Sequence, residues 1–264
     1  MLFLIRKESM KPFFFLVRLF FILEGLLAFG GEDIDDLLFS GIADRRVTKE
    51  GLLELIAETS RTQRQKPQDY TANWMLAALY YFYGDFYATS SEEKKSYFTY
   101  CKEYAEIAVK VNPQGLAGHY WLGVGLAKWA EYNGILHSLF TADDILNEMN
   151  IVIKINPSFF KGLPFALRAT VYAMAPPVIS VGNQELARAD IQKALIYGKD
   201  TRAVYQILAD IYIYWKEWDK ALGLIQAGLS LPYDKRLPLE EADCLRKLND
   251  AKLRVEAELA RQKQ

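Results

Sequence analysis

One spacing recurs along most of this chain. An aromatic residue is followed four places later by a small residue and three further by an aromatic or large apolar one, and then by a second apolar helical segment that stops near proline or glycine. The clearest copy is Tyr205, Ala209, Tyr212, Ala221, Ile225, Gly228 and Pro232. Steps of four and three put side chains on one face of a helix. A small residue on that face lets an antiparallel partner approach, while the large residues fill the groove between one hairpin and the next. Such a unit cannot bury its apolar face alone and has to stack on copies of itself. The pattern therefore constrains the chain to an all-α row of helical hairpins.

Three further copies precede that one. The first carries Trp74, Ala78 and Tyr81, then Cys101, Ala105 and Ala108, and ends at Asn112-Pro113. The second carries His119, Gly123 and Leu126, then Ile145, Met149 and Val152, and ends at Asn156-Pro157. The third carries Phe165, Ala169 and Tyr172, then Ala187, Ile191 and Ala194, with Gly198 in the place of proline and Arg168 where leucine is expected. This is the tetratricopeptide signature. It predicts a tetratricopeptide-like superhelix, an α-solenoid of about four repeats over residues 70–236, with a helical cap over 31–69 before it and a capping helix over 237–264 after it.

The distance between the small positions of the two helices falls along the chain: 23 from Ala78 to Cys101, 22 from Gly123 to Ile145, 18 from Ala169 to Ala187 and 12 from Ala209 to Ala221. Only the last is standard. Extra residues inside a repeat either lengthen its helices or form a loop on one side. In the third repeat the insert holds Ala175-Pro176-Pro177 and Gly182, which must be irregular because proline breaks a helix. In the second it runs from Asn133-Gly134 to Thr141, with Thr141 read as the cap of a helix whose first turn carries Asp143 and Asp144.

The flanks read as follows. Asp33 to Phe39 suits a short helix, and Lys49 to Arg64 a longer one with Leu52, Leu53, Ile56 and Ala57 on one face, Thr48 as N-cap and Lys66-Pro67 as its stop. Leu239 to Arg261 reads as a final helix with Leu245, Leu248, Leu253 and Leu259, opened by Pro238 and by Glu240 and Glu241 on its positive dipole end. At the other end, Met10-Lys11, the apolar runs Phe13 to Val17 and Leu19 to Leu23, and Ala28-Phe29-Gly30 resemble the three parts of a secretory signal. Residues 1–30 are expected to be a signal peptide or an N-terminal anchor, with translation starting at Met10. Arg18 and Glu24 make the run a poor membrane span, since a charge at the bilayer centre costs roughly 2.5 to 3.5 kcal/mol. The expected location is the periplasm, the alternative a membrane held by the uncleaved segment.

A formal charge of -1 gives no long-range attraction for nucleic acid. Cys101 and Cys244 show no metal spacing and fall on distant helices. His119 occupies a packing position, His137 lies in an insert, and neither belongs to a nucleophile or metal motif. Adjacent Asp143 and Asp144 point apart on a helix, and Gly123 and Gly125 lack the strand and the Lys-Ser/Thr ending of a phosphate loop. No catalytic residue, metal site or cofactor is expected.

The candidate site is the inner face of the leading helices. It comprises Met75, Leu79, Phe82 and Tyr83 from the first repeat, and Tyr120, Val124 and Lys128 from the second. Leu163, Ala166, Thr170 and Met174 come from the third, and Gln206, Asp210 and Tyr214 from the fourth. A clamp for charged peptide tails would be rich in Lys, Arg and Asn. This face is apolar with isolated polar groups, which suits either a small apolar ligand or burial as ordinary core. Tyr80 to Tyr83 with Phe86 and Tyr87, and Trp215 with Trp218, divide in the same way between packing and an interaction patch.

Tyr120-Trp121-Leu122-Gly123, Trp129, Asn133-Gly134, Ile153-Lys154-Ile155-Asn156-Pro157, Leu167, Tyr172, Pro176, Gly182 and Lys193-Ala194-Leu195 carry a resemblance over about residues 70 to 232. The stretch resembles bacterial exported tetratricopeptide proteins, among them the T-component associated with TRAP-type periplasmic solute transporters. The resemblance implies a periplasmic helical protein with an apolar pore or groove and a solute-binding protein as partner. Members are commonly lipid-anchored, whereas this chain has no cysteine for a lipid near Gly30. The expected function is that of a non-catalytic accessory protein that engages such a partner and holds a small apolar ligand. The alternative is a pure protein-assembly scaffold without a small-molecule ligand.

Overall fold

A computed structural model describes residues 42–262, and among them it contains helices and no strand. The proposed signal segment, the start at Met10 and the helix Asp33 to Phe39 lie outside the described residues. A short α1 (Ala43–Arg46) leads into α2 (Lys49–Gln65), and four hairpins follow: α3 (Tyr70–Phe86) with α4 (Ser91–Val111), α5 (Leu116–Asn133) with α6 (Ile135–Ile155), α7 (Leu163–Met174) with α8 (Gln184–Tyr197), and α9 (Arg202–Tyr214) with α10 (Trp218–Ser230). The last helix is α11 (Pro238–Gln262).

Local chemistry sets the boundaries. Thr48, Asp69, Ser90 and Asn183 each accept a backbone N–H of the first turn, filling an orphaned donor of α2, α3, α4 and α8. Pro113 and Pro157 follow the ends of α4 and α6, where a further helical N–H is not available. The stretch in the first two repeats is taken up by helix length, with 17 and 21 residues in α3 and α4 and 18 and 21 in α5 and α6. In the third it is a loop: α7 and α8 have 12 and 14 residues, and the Asn183 N–H donates to Tyr172 O to close the excursion.

Three local readings change. Thr141 does not start a helix; its hydroxyl donates to His137 O at 2.8 Å inside α6, which begins at Ile135 after Gly134 turns the chain with φ 98. Asp143 and Asp144 are therefore exposed mid-helix residues. On α2 the buried stripe is Leu52, Leu55 and Ile56, with Leu53 turned outward. On α11 it is Cys244, Leu248, Ala251 and Val255, and Leu253 faces solvent. Arg168, at the expected leucine position, reaches from α7 to Asp190 on α8 with two bonds of 2.7 and 2.6 Å, so an ion pair joins the hairpin there.

The core falls into three clusters. The largest joins α2 to α6 around Trp74, Leu76, Phe82 and Met149, the second joins α7 to α9 around Ile191 and Leu208, and the third seats α11 on α9 and α10 through Ile225 and Leu248. At Gly125 a methyl group would lie 3.0 Å from the backbone of Lys102, so glycine sets how closely α4 and α5 approach. The inner helices α3 and α5 pack together, as do α7 and α9, while α5 and α7 barely touch.

Candidate functional site

The gap between α5 and α7 is filled from below by the link that joins them. Phe159–Gly162 forms a tight turn in which Phe160, Lys161 and Gly162 all have positive φ, at 43, 49 and 81°. Left-handed backbone costs roughly 1–2 kcal/mol for each residue with a Cβ. Packing offsets it here, because Phe160 is buried with its ring centroid 4.5 Å from Tyr120 and 6.2 Å from Trp121. Trp121 in turn meets Tyr81 at 5.4 Å and Phe82 at 5.8 Å. These rings form one wall of a cavity of about 420 Å³.

The opposite wall comes from the far end of the chain. Gln206 and Ile207 on α9 line it, together with Leu237, Glu240, Asp243, Cys244 and Lys247 at the start of α11. Two buried ion pairs hold α11 across the inner side. Arg202, at the first turn of α9, donates to Glu241 Oε2 at 3.0 Å and to the Leu231 carbonyl at 2.6 Å. Arg46 of α1 donates to Glu240 Oε1 at 2.6 Å with its guanidinium 4.4 Å over the Phe82 ring. The first and last described elements thus meet, and the solenoid closes on itself around the cavity.

Burial dominates the chemistry of the wall. It pushes the Cys244 thiol up to about 12 and the Tyr81 hydroxyl well above its usual range, so both stay protonated at neutral pH. It also raises the Glu241 carboxyl, against the pull of Arg202. Asp85 receives Lys128 at 3.2 Å and Asp243 receives Lys247 at 2.6 Å. Among the described residues no three His, Cys, Asp or Glu side chains gather to hold a metal ion, and no helix is long and apolar enough to cross a membrane.

The sequence-derived face is divided by this arrangement. Phe82, Tyr120 and Val124 line the cavity, as do Leu163 and Gln206. Met75, Leu79 and Tyr83 lie toward α2 and α4: the Thr59 hydroxyl is 3.9 Å from Met75 Sδ, Leu79 is fully buried, and Tyr83 stacks on Tyr97 at 4.0 Å. Ala166 is fully buried in the second core. Lys128 stands behind the wall against Asp85 and Glu131, which keep its ammonium high in pKa although burial opposes this. Thr170 donates to Ala166 O, and Met174 and Tyr214 are exposed. Asp210 accepts a bond from Gln206 one turn beyond the cavity, and burial raises its carboxyl.

Trp121, Phe160, Arg46 and the start of α11 form the part that helical projection does not reach. The cue for Phe160 is local, a glycine two residues after paired phenylalanines in a short inter-helix link. The start of α11 carries no such cue, because the partners of Glu240 and Glu241 are Arg46 and Arg202, 194 and 39 residues away. His119 is a buried structural group: Nδ1 lies 2.5 Å from Glu148 Oε2 and Nε2 3.0 Å from the Pro113 carbonyl. Both partners accept, which favours the imidazolium, and the bond to Glu148 raises the His119 pKa against burial.

Residues 39–161 match the family model described as Regulator of microtubule dynamics protein 1-3. That region ends at the left-handed turn and holds α1 to α6. Of solved structures, a thermophilic TPR protein of Thermus thermophilus is similar at 20% identity with a TM-score of 0.55, covering 78% of this chain and 97% of that one. A tetratricopeptide repeat protein from Parabacteroides merdae aligns at 16% identity over 90% of this chain and 98% of that one, with a TM-score of 0.34. The first of these agrees with the hairpins described above, and the fold is a tetratricopeptide-like superhelix. No curated protein matches the chain.

Proposed function

We propose that this chain is a non-catalytic binding protein that engages a partner protein and holds a small, largely apolar ligand inside its closed solenoid. One observation carries the reading: a cavity of about 420 Å³ stands where the inner helices separate, walled by Tyr81, Phe82, Tyr120, Trp121 and Phe160. That size lies within the roughly 300–1,000 Å³ of small-molecule sites, and an aromatic wall with few polar groups is their usual make-up. Export to the periplasm and a solute receptor as partner belong to the same reading, on the strength of residues 10–30 and of the resemblance over residues 70 to 232. Nile red, a neutral apolar dye, is expected to bind the full chain with a rise in fluorescence. Val124→Trp is expected to abolish that signal while circular dichroism stays unchanged. Undiminished dye binding in the folded variant would count against the cavity as the site.

A second reading, a pure scaffold whose cavity stays without a ligand, draws support from the match to regulators of microtubule dynamics over residues 39–161. Native mass spectrometry separates the two. A co-purifying small molecule supports the first reading, and a ligand-free protein that co-sediments with microtubules supports the second.

A further inference from the structure

Among the described residues the three most exposed large apolar side chains are Val178, Phe140 and Ile179, at 92, 78 and 72%. All three belong to one edge of the solenoid. Stacked hairpins carry their internal turns along the same side. Phe140 lies in the second turn of α6, just past the turn at Gly134, and Val178 and Ile179 lie in the excursion between α7 and α8. The turn between α9 and α10 continues the edge: Tyr214 is exposed, and Arg188, from the start of α8, holds its guanidinium 4.6 Å over the Trp215 ring.

The excursion is braced. Pro176 and Pro177 fix their own φ, the Ser180 N–H donates to the Pro176 carbonyl at 3.0 Å, and the Asn183 N–H closes the base on Tyr172 O at 2.8 Å. At the neck a Cβ on Gly182 would lie 1.9 Å from the Ala175 carbonyl oxygen, so the two arms of the loop touch there. A fixed backbone therefore holds two adjacent aliphatic side chains outward on a tip that covers nothing in this chain. Residues 169–184 carry no charged side chain, in a sequence that is 25% charged.

The composition of the tip fits hydrocarbon better than a protein pocket. A protein partner surrounds an apolar contact with a rim of hydrogen bonds and charges. This tip offers no charge, its two prolines have no N–H, and the Ser180 N–H is already bonded within the loop. The same features lower the cost of entering lipid, where each unpaired backbone group is expensive. Tyr214 and Trp215 on the neighbouring turn are of the types that settle at the membrane–water boundary. The apolar runs Phe13 to Val17 and Leu19 to Leu23 belong to a segment that reads as membrane-directed, which puts a bilayer within reach of the chain.

We propose that this edge rests on a lipid bilayer, with Val178 and Ile179 inserted among the acyl chains and Phe140, Tyr214 and Trp215 at the level of the headgroups. The contact is apolar and so is little screened by salt. It does not depend on the cavity being a ligand site.

The test uses the full chain and vesicles of phosphatidylcholine with phosphatidylglycerol. An NBD fluorophore is placed at the tip by Val178→Cys and, in a second protein, on the opposite edge by Gln114→Cys, an exposed position in the link between α4 and α5. The two native thiols are buried and stay unlabelled. On adding vesicles the tip label is expected to brighten about twofold or more, to shift to the blue and to be quenched by nitroxide carried on the acyl chains, with the label at 114 unchanged. This contrast holds even where residues 1–30 anchor the chain, since an anchor alone favours neither edge. About 0.5 M NaCl should leave the signal in place. Ile179→Asp, at an exposed position where folding is not at stake, should cut the inserted fraction about tenfold, the worth of burying one large aliphatic side chain. No change at the tip, or equal change at both positions, overturns the proposal. Brightening that needs no vesicles and grows with protein concentration overturns it in favour of a second copy of the chain.

Discussion

The two halves of the solenoid solve the same packing problem with different material. From α3 to α6 the helices run 17 to 21 residues and meet through Trp74, Phe82, Phe98 and Trp121. From α7 to α10 they run 12 to 14 residues and meet through Ile191, Leu208, Ile211 and Ile225 among alanines, with Phe165 as the buried ring. Long helices with aromatic contacts and short helices with mainly aliphatic ones do not present matching ends. The mismatch is absorbed at one joint, the left-handed turn Phe159–Gly162, and the cavity lies beside it. Phe160 of that joint forms part of the cavity wall, opposite the start of α11.

The largest effect on this contrast should come from releasing α11, which spans the two halves. Arg202→Ala leaves Glu241 buried without its cation, and removal of one partner from such a pair costs roughly 3–5 kcal/mol. Urea unfolding at pH 7 checks the value. The loss should shrink at acid pH, where the Glu241 carboxyl, already raised by burial, takes up a proton. Loss of the same size at every pH would show that the ion pair is not the cause.

Within the first half, Glu148→Gln should cost about 1.5–3 kcal/mol, the range for a hydrogen bond to a charged group. The Glu148 carboxylate raises the His119 pKa in the folded state, burial opposes it, and the Pro113 carbonyl adds to the rise. A raised folded-state pKa stabilises fully below the unfolded imidazole value of about 6.5 and loses that contribution as pH climbs through the folded value. The gap between wild type and variant should therefore be widest near pH 6 and narrow toward alkaline pH. A gap independent of pH across that range would remove the protonated imidazole from the account.

At the joint itself, Gly162→Ala forces a Cβ onto φ +81 and to 2.7 Å from the Ala194 carbonyl oxygen. About 1–3 kcal/mol is expected for strain of this kind, read as a fall in Tm. The variant should also weaken Nile red binding, because Phe160 is held by the same turn. The smallest effect concerns reactivity and leaves stability untouched. Cys101 and Cys244 are both buried, with thiol pKa values raised by burial, so iodoacetamide should label each slowly. Occupancy of the cavity should slow Cys244 further and leave Cys101 as it was, since only Cys244 lines the wall.

Legibility followed the range of the interaction. The cap at Thr48, the stops before Pro113 and Pro157, and the loop forced by Pro176-Pro177 depend on neighbours a few residues away. Each can be read from the chain. Phe82, Tyr120 and Val124 share a cavity because helical period places them on the inner face, and that too is local arithmetic. Leu79 and Met75 obey the same arithmetic but are packed into the core instead, Leu79 fully buried and Met75 half-buried with Thr59 of α2 against it, and nothing in their own spacing records that outcome.

The repeating unit is written in the chain itself: the apolar period, the small residues that let helices approach, and the breakers that end each helix. Those fix an all-α superhelix because hydrophobic burial and backbone hydrogen bonding act over one or two turns. Only the folded arrangement closes the solenoid, brings Arg46 and Glu240 together across 194 residues, and leaves Trp121 Nε1 and Glu240 Oε2 buried without a hydrogen-bond partner. The physical reason is that a long-range ion pair or an orphaned polar atom is defined by what the fold brings near it, and small changes in helix length and in one strained turn set that distance.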